Sequence, residues 1–137
     1  MALRRAPGEV NAHPMVAPDI LAMDPPAFDA ALADGDPRLL VAYFWGPDCP
    51  NCEVFARELP GLLPELDGEK VRLVKVNAYA HMELARRYAL FGIPTFLLFR
   101  DGKLLGKMSQ YRGRAFWLDV IHEKQEPPRT GEGGGGP

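Results

Sequence analysis

The chain has almost no cysteine: two in 137 residues, Cys49 and Cys52. A small scaffold stapled by several disulfides is therefore excluded. Histidine is as scarce, with only His13, His81 and His122. None of these stands at a ligand spacing from another or from the cysteines, so the roughly four ligands of a zinc site are not on offer, and neither a metal nor another cofactor is expected. Net charge is small, −2, and the basic residues fall in short clusters, Arg4-Arg5, Arg86-Arg87 and Arg112 with Arg114. Without a concentrated basic face, nucleic acid is not an expected partner. No apolar run approaches the roughly 20 residues of a membrane span, so no membrane partner is expected. No repeat is visible. In the first thirty residues, Pro7, Glu9, Asn11, Pro14, Pro18 and Asp19 interrupt any stretch of signal-peptide length. These absences point to a cytoplasmic protein, or a periplasmic one had a leader been removed.

What is present is ordinary for a globular domain: 47% hydrophobic and 25% charged residues in a length that fits one core. Residues 1–18, polar and punctuated by proline, read as a flexible arm, and 19–124 as the domain. Residues 125–137, with Pro127-Pro128 and the glycines after Thr130, read as a disordered tail whose ordering no burial would offset.

The two cysteines form one motif, Cys49-Pro50-Asn51-Cys52, just after the apolar run Leu39 to Trp45. Pro50 suits the first position of a helix, where its missing N–H is no loss, which makes Cys49 the cap and Cys52 the third helical residue. Thiols so spaced on one turn can close into a disulfide with little backbone movement, giving the helix end a reversible two-electron couple. The free N–H groups and positive end of the helix favour a negative cap, so Cys49 is the expected thiolate, with a pKa below the ordinary value of about 8.5. Cys49 is then the nucleophile and Cys52 the resolving thiol. Half of a metal site, a structural disulfide or inert buried thiols are the competing readings; position between a buried strand and a helix favours redox chemistry.

Around this motif the pattern is strand, helix, strand, helix, strand, helix, strand, strand, helix. Ile20 to Met23 is a short strand. Asp24 caps a helix opened by Pro25 that carries Phe28 and Leu32, and Asp34 to Pro37 ends it. Leu39 to Trp45 lacks polar alternation, as a strand covered on both faces should. The motif helix carries Val54, Phe55, Leu59, Leu62 and Leu63 near a 3.6 period, with a kink expected at Pro60. Val71 to Val76 is the third strand and His81 to Leu90 the third helix. Asp101-Gly102 turns a hairpin, and Phe116, Leu118, Val120 and Ile121 give the last helix its apolar contacts. Such a chain folds as an α/β protein with a mixed central sheet between helices.

Gly92-Ile93-Pro94-Thr95 leads into the apolar run Phe96 to Phe99, and an X-Pro bond at a strand entrance is a candidate for the cis form. With CxxC at a helix start, this proline after Ile93, Phe44-Trp45 on the preceding strand and Lys75-Val76-Asn77 at a third-strand end, the chain resembles the thioredoxin superfamily from about Asp19 to Glu123. The resemblance implies the thioredoxin fold and a thiol-disulfide oxidoreductase exchanging with protein partners, and the cytoplasmic placement favours a reductase. Cys49 would attack, Cys52 would release the product, and the Ile93 backbone would pair with an extended substrate beside Pro94. Trp45, Asp48 and Pro50 join Ile93 and Pro94 as expected substrate contacts, a thioredoxin reductase is an expected partner, and the chain is expected to be a monomer.

The departures are specific. Asp48 stands where thioredoxins proper have Trp, Pro50-Asn51 replaces Gly-Pro, and Ser109 stands where many have Gly on the docking surface. Tyr43 occupies the place of the buried acid six residues before the first cysteine, while Lys75 keeps the position of that acid's lysine partner. A carboxylate beside Cys49 opposes the helix end in setting its charge. These changes motivate an alternative, a binding or chaperone-type module with weak redox activity. Packing competes with function for Phe44, Trp45 and Tyr43, the last with a proton relay as its functional reading. His81 reads as plain surface.

Overall fold

The computed structural model describes residues 15–127. Residues 1–14 of the arm and 128–137 of the tail lie outside the described residues. Val16 O accepts a hydrogen bond from Gly68 N at 2.8 Å, so the chain is tied down before its first strand.

Five strands form one mixed sheet in the order β1-β3-β2-β4-β5. They are β1 (Ile20–Ala22), β2 (Leu39–Trp45), β3 (Val71–Asn77), β4 (Thr95–Arg100) and β5 (Lys103–Met108). β1 and β2 run parallel to β3, whereas β4 pairs antiparallel with β2 and β5 with β4. Crossover helices α1 (Pro25–Ala33), α2 (Pro50–Leu62) and α3 (Met82–Arg87) connect the first four strands, and α4 (Arg114–Gln125) follows the hairpin. This is the expected order of elements.

The apolar run of β2 is explained by burial on both faces. Leu39, Val41 and Tyr43 face one core with Phe55, Leu62 and Ile121, while Leu40, Ala42 and Phe44 face another with Phe28, Leu84 and Phe99. Alternation therefore sorts β2 side chains between two helical layers instead of between core and water. Phe28 anchors the α1 side, its ring edge-on to Phe44 at 6.1 Å and Phe99 at 5.8 Å. Asp24 caps α1 by accepting from Ala27 N at 3.0 Å, as a cap before Pro25 should.

Element ends and some packing differ from the expectation, and β1 stops at Ala22, one residue short of Met23. α3 stops at Arg87 because Ala89 turns left-handed (φ 54°) and Leu90 N returns to Ala85 O at 2.9 Å. β3 extends one residue further, to Asn77. On α4 the buried aromatic is Trp117, at 1% exposure, whereas Phe116 lies half out beneath the Arg112 guanidinium at 5.8 Å. α2 continues through Pro60 and tightens into a 3-10 turn at Leu63–Glu65.

Candidate active site

β2 delivers the motif. Gly46, Pro47 and Asp48 carry the chain from Trp45 to α2, and Asp48 sits in the left-handed region (φ 55°), a conformation Asp tolerates better than most residues. Cys49 is the N-cap with extended backbone, Pro50 the first helical residue, and Cys52 N–H points at Cys49 Sγ from 3.2 Å. A capping side chain normally offers oxygen to that orphan donor; here sulfur takes the role. The two cysteines are joined as a disulfide, with Cα atoms 5.2 Å apart. Both residues are buried, Cys52 at 3% exposure and Cys49 at 8%.

Ile93 and Pro94 come to the same end of the sheet. Thr95 pairs with Phe44 across the β2–β4 ladder, so the residues just before Thr95 lie beside the exit of β2. The Ile93-Pro94 bond is cis, and Thr95 Oγ1 fixes the turn by donating to Gly92 O at 2.7 Å. The two segments meet at Gly46. A Cβ there would stand 2.8 Å from Ile93 Cδ1, the far end of that side chain, and 3.0 Å from the Tyr79 ring, so any larger residue would push both side chains back.

Asp48 and Pro50 are exposed at the same end, flanking Cys49. Trp45 closes β2 at the same end. Its partly buried side chain packs on the core beneath α2 and lines a cavity of about 260 Å³ with Tyr43, Asp48, Cys52, Glu53 and Lys75. Tyr43 and Lys75 are register partners on β2 and β3 and so share the face of the sheet that carries this cavity. The Tyr43 hydroxyl donates to Cys52 O at 3.3 Å. Burial pushes the Tyr43 phenol up to about 12, so at neutral pH it is a fixed donor and not a base.

Sequence reasoning missed Asn51. Its Oδ1 accepts from Tyr111 N at 3.1 Å and its Nδ2 donates to Tyr111 O at 3.3 Å, as a strand neighbour would. The Tyr111 ring packs edge-on against Phe55 at 5.0 Å, and its hydroxyl donates to Glu58. Burial, then the bond to Glu58, raises the Tyr111 pKa. The first turns of α2 are thus clamped to the loop between β5 and α4. The only signal in the sequence was the amide itself, a side chain able to imitate a peptide group.

A family model described as Thioredoxin matches residues 19–122. The chain belongs to the thioredoxin family. It is 33% identical to the thioredoxin of Bacillus subtilis (strain 168) over 97 residues, 71% of this chain and 89% of that protein. It is also 33% identical to the chicken (Gallus gallus) protein disulfide-isomerase A3 over 90 residues, 66% of this chain but only 17% of that protein. Among solved structures, thioredoxin f2 of Chlamydomonas reinhardtii superposes with a TM-score of 0.69 at 28% identity, covering 80% of this chain and 100% of that one. A thioredoxin of Halobacterium salinarum, TM-score 0.70 at 20% identity over 84% of this chain and 99% of that one, shares the fold. The paired cysteines and this family membership make the chain a thiol-disulfide oxidoreductase. No helix among the described residues is long and apolar enough to cross a membrane.

Proposed function

We propose that the chain works as a monomeric cytoplasmic reductase of protein disulfides, recharged by a thioredoxin reductase. The observation that carries this reading is the capped start of α2, where Cys49 Sγ sits 3.2 Å from Cys52 N–H at the positive end of the helix. In the reduced protein the same N–H supports a thiolate on Cys49. That thiolate attacks one sulfur of the substrate disulfide, forming a Cys49–substrate bond and releasing the other substrate sulfur as a thiolate. Cys52, once deprotonated, attacks Cys49 Sγ, closes the Cys49–Cys52 bond and releases the second substrate thiolate. Two electrons pass from the protein to the substrate. A substrate strand pairing with the Ile93 backbone would present its sulfur to Cys49 by β-addition, with Pro94, Asp48 and Pro50 around it. Restriction of cysteine to this pair in 137 residues supports a reducing compartment, where structural disulfides are not kept.

Insulin reduction in the presence of dithiothreitol tests the activity: acceleration over reductant alone is expected, and its absence overturns the reading. Equilibration with glutathione tests the direction. A potential near about −270 mV is that of a reductase, and one near about −120 mV would make the protein an oxidant.

A further inference from the structure

One proton in the exchange step has no destination yet. Cys52 is buried at 3% exposure, and a thiol held away from water resists ionisation. Its own N–H points at Cys49 Sγ from 3.2 Å, so the positive helix end serves the other sulfur. The Tyr43 hydroxyl, which donates to Cys52 O at 3.3 Å, is a donor and not a base. Some other group must take the Cys52 proton before this thiol can attack.

The cavity beside Cys52 holds that group. At about 260 Å³ it has room for several waters, and Asp48, Glu53 and Lys75 line it together with Cys52. Glu53 directly follows Cys52 in the first turn of α2, where its N–H donates to Cys49 O at 3.0 Å. Lys75 reaches the cavity from β3, and Asp48 from the loop before Cys49. Tyr43 on β2 and Arg57, one turn further along α2, are the other ionisable groups nearby. The ion pairs among the described residues use neither Glu53 nor Lys75. A carboxylate and an ammonium group therefore border one water-sized space next to the resolving thiol, and neither is neutralised by a direct partner.

We propose that Glu53 accepts the Cys52 proton through water in this cavity, and that Lys75 is the cation that favours the resulting thiolate. The assignment rests on the exchange reading above and supplies the step that precedes resolution. The Cys52 S–H bond breaks, and its proton passes by way of water to a Glu53 carboxylate oxygen. The thiolate attacks Cys49 Sγ, the Cys49–substrate bond breaks, and the substrate sulfur leaves as a thiolate, to which the proton returns through solvent. The electrons go to the substrate disulfide, so no further oxidant or reductant enters. Glu53 is preferred to Asp48 because a rigid helix carries it beside Cys52, whereas Asp48 belongs to the loop on the Cys49 side.

The test mixes the full-length reduced protein with one equivalent of dithiobis(nitrobenzoate), which releases one coloured thiolate when Cys49 attacks and a second when Cys52 closes the disulfide. The second phase does not depend on concentration and reads resolution alone. Glu53→Gln is expected to slow it at pH 7 by about a hundredfold, the lower end of what a positioned base contributes. The deficit should narrow as pH rises and hydroxide takes over. Glu53→Asp, which keeps a carboxylate, should recover part of the rate. Glu53 is exposed, so these changes remove no core packing. Lys75→Met is expected to move the pH profile of the second phase upward, as loss of a cation near a thiolate does, and Lys75→Arg to leave it in place. A second phase that Glu53→Gln leaves unchanged in rate and pH profile overturns the acceptor and leaves the exchange reading standing. Loss of that phase in Asp48→Asn but not in Glu53→Gln assigns the proton to the loop and also overturns it. An unmoved profile in Lys75→Met overturns the role of the cation. Absence of the first phase in the unmodified protein overturns the exchange reading itself.

Discussion

The side-chain amide of Asn51 pairs with the backbone of Tyr111 in both directions, at 3.1 and 3.3 Å, and so joins the redox helix to a loop 60 residues away. The pair is partly buried, and losing it strands a backbone N–H and a C=O. Asn51→Ala is expected to lower stability by about 1–3 kcal/mol, read as a fall in the urea midpoint at unchanged slope. An unchanged midpoint would show that water replaces the clamp at no cost.

Tyr43→Phe separates packing from proton transfer. The ring stacks on Phe96 at 5.2 Å and packs against Phe55 at 4.6 Å, contacts that Phe retains. Loss of the hydroxyl is expected to cost about 1 kcal/mol or less and to leave insulin reduction at pH 7 within about twofold. A fall of about a hundredfold, the scale of general acid–base catalysis, would instead make the phenol part of the proton path. The phenol ionises near 10 when unfolded and near 12 when folded, so its contribution to stability is intact below pH 10 and is lost as pH rises toward 12. The variant should lack that loss.

Much of this arrangement was legible in the sequence because it is local. A proline after a cysteine, at the end of an apolar run, fixes cap, first turn and strand within a few residues. Gly92-Ile93-Pro94 was readable for the same reason. The Asn51–Tyr111 clamp was not, because pairing across 60 residues leaves no periodic trace. Phe116 and Trp117 are adjacent, and on a helix of 3.6 residues per turn either could face inward; packing against Phe55 and Phe96 selects Trp117. The early end of α3 was hidden too, since Ala89 adopts a conformation for which glycine is the usual signal.

Asp36 offers an acid-stability test away from the site. The Arg38 guanidinium, bonded at 2.7 Å, holds its carboxyl down to about 2 from 3.8, and Arg72 at 3.2 Å adds to the effect. A carboxylate that binds protons less readily when folded stabilises the protein fully above its unfolded value, and the gain disappears as pH falls from about 4 toward 2. Partial exposure of the pair reduces the figure, and Asp36→Asn is expected to cost about 1 kcal/mol at pH 7. Urea midpoints of the two proteins should draw together from pH 4 downward and meet near pH 2 on this account; a constant difference would assign the effect to the backbone turn instead.

Asp48→Asn removes a carboxylate next to Cys49 in the chain. With less repulsion at the helix end, thiolate forms more readily, and the ultraviolet titration of the reduced protein is expected to move to lower pH. No movement would show that the left-handed turn at Asp48 aims its charge into solvent.

The division of labour between the two sulfurs is the centre of the account, and trapping measures it directly. Cys52→Ser and Cys49→Ser proteins are each incubated with oxidised insulin and resolved without reductant, and the adducts are located by mass. The capped Cys49 should attack and then remain bound, so the Cys52→Ser protein is expected to accumulate reductant-sensitive adducts through Cys49, while the Cys49→Ser protein forms none. Adducts on the Cys49→Ser protein, or none on either while the unmodified protein reduces insulin, would contradict the mechanism.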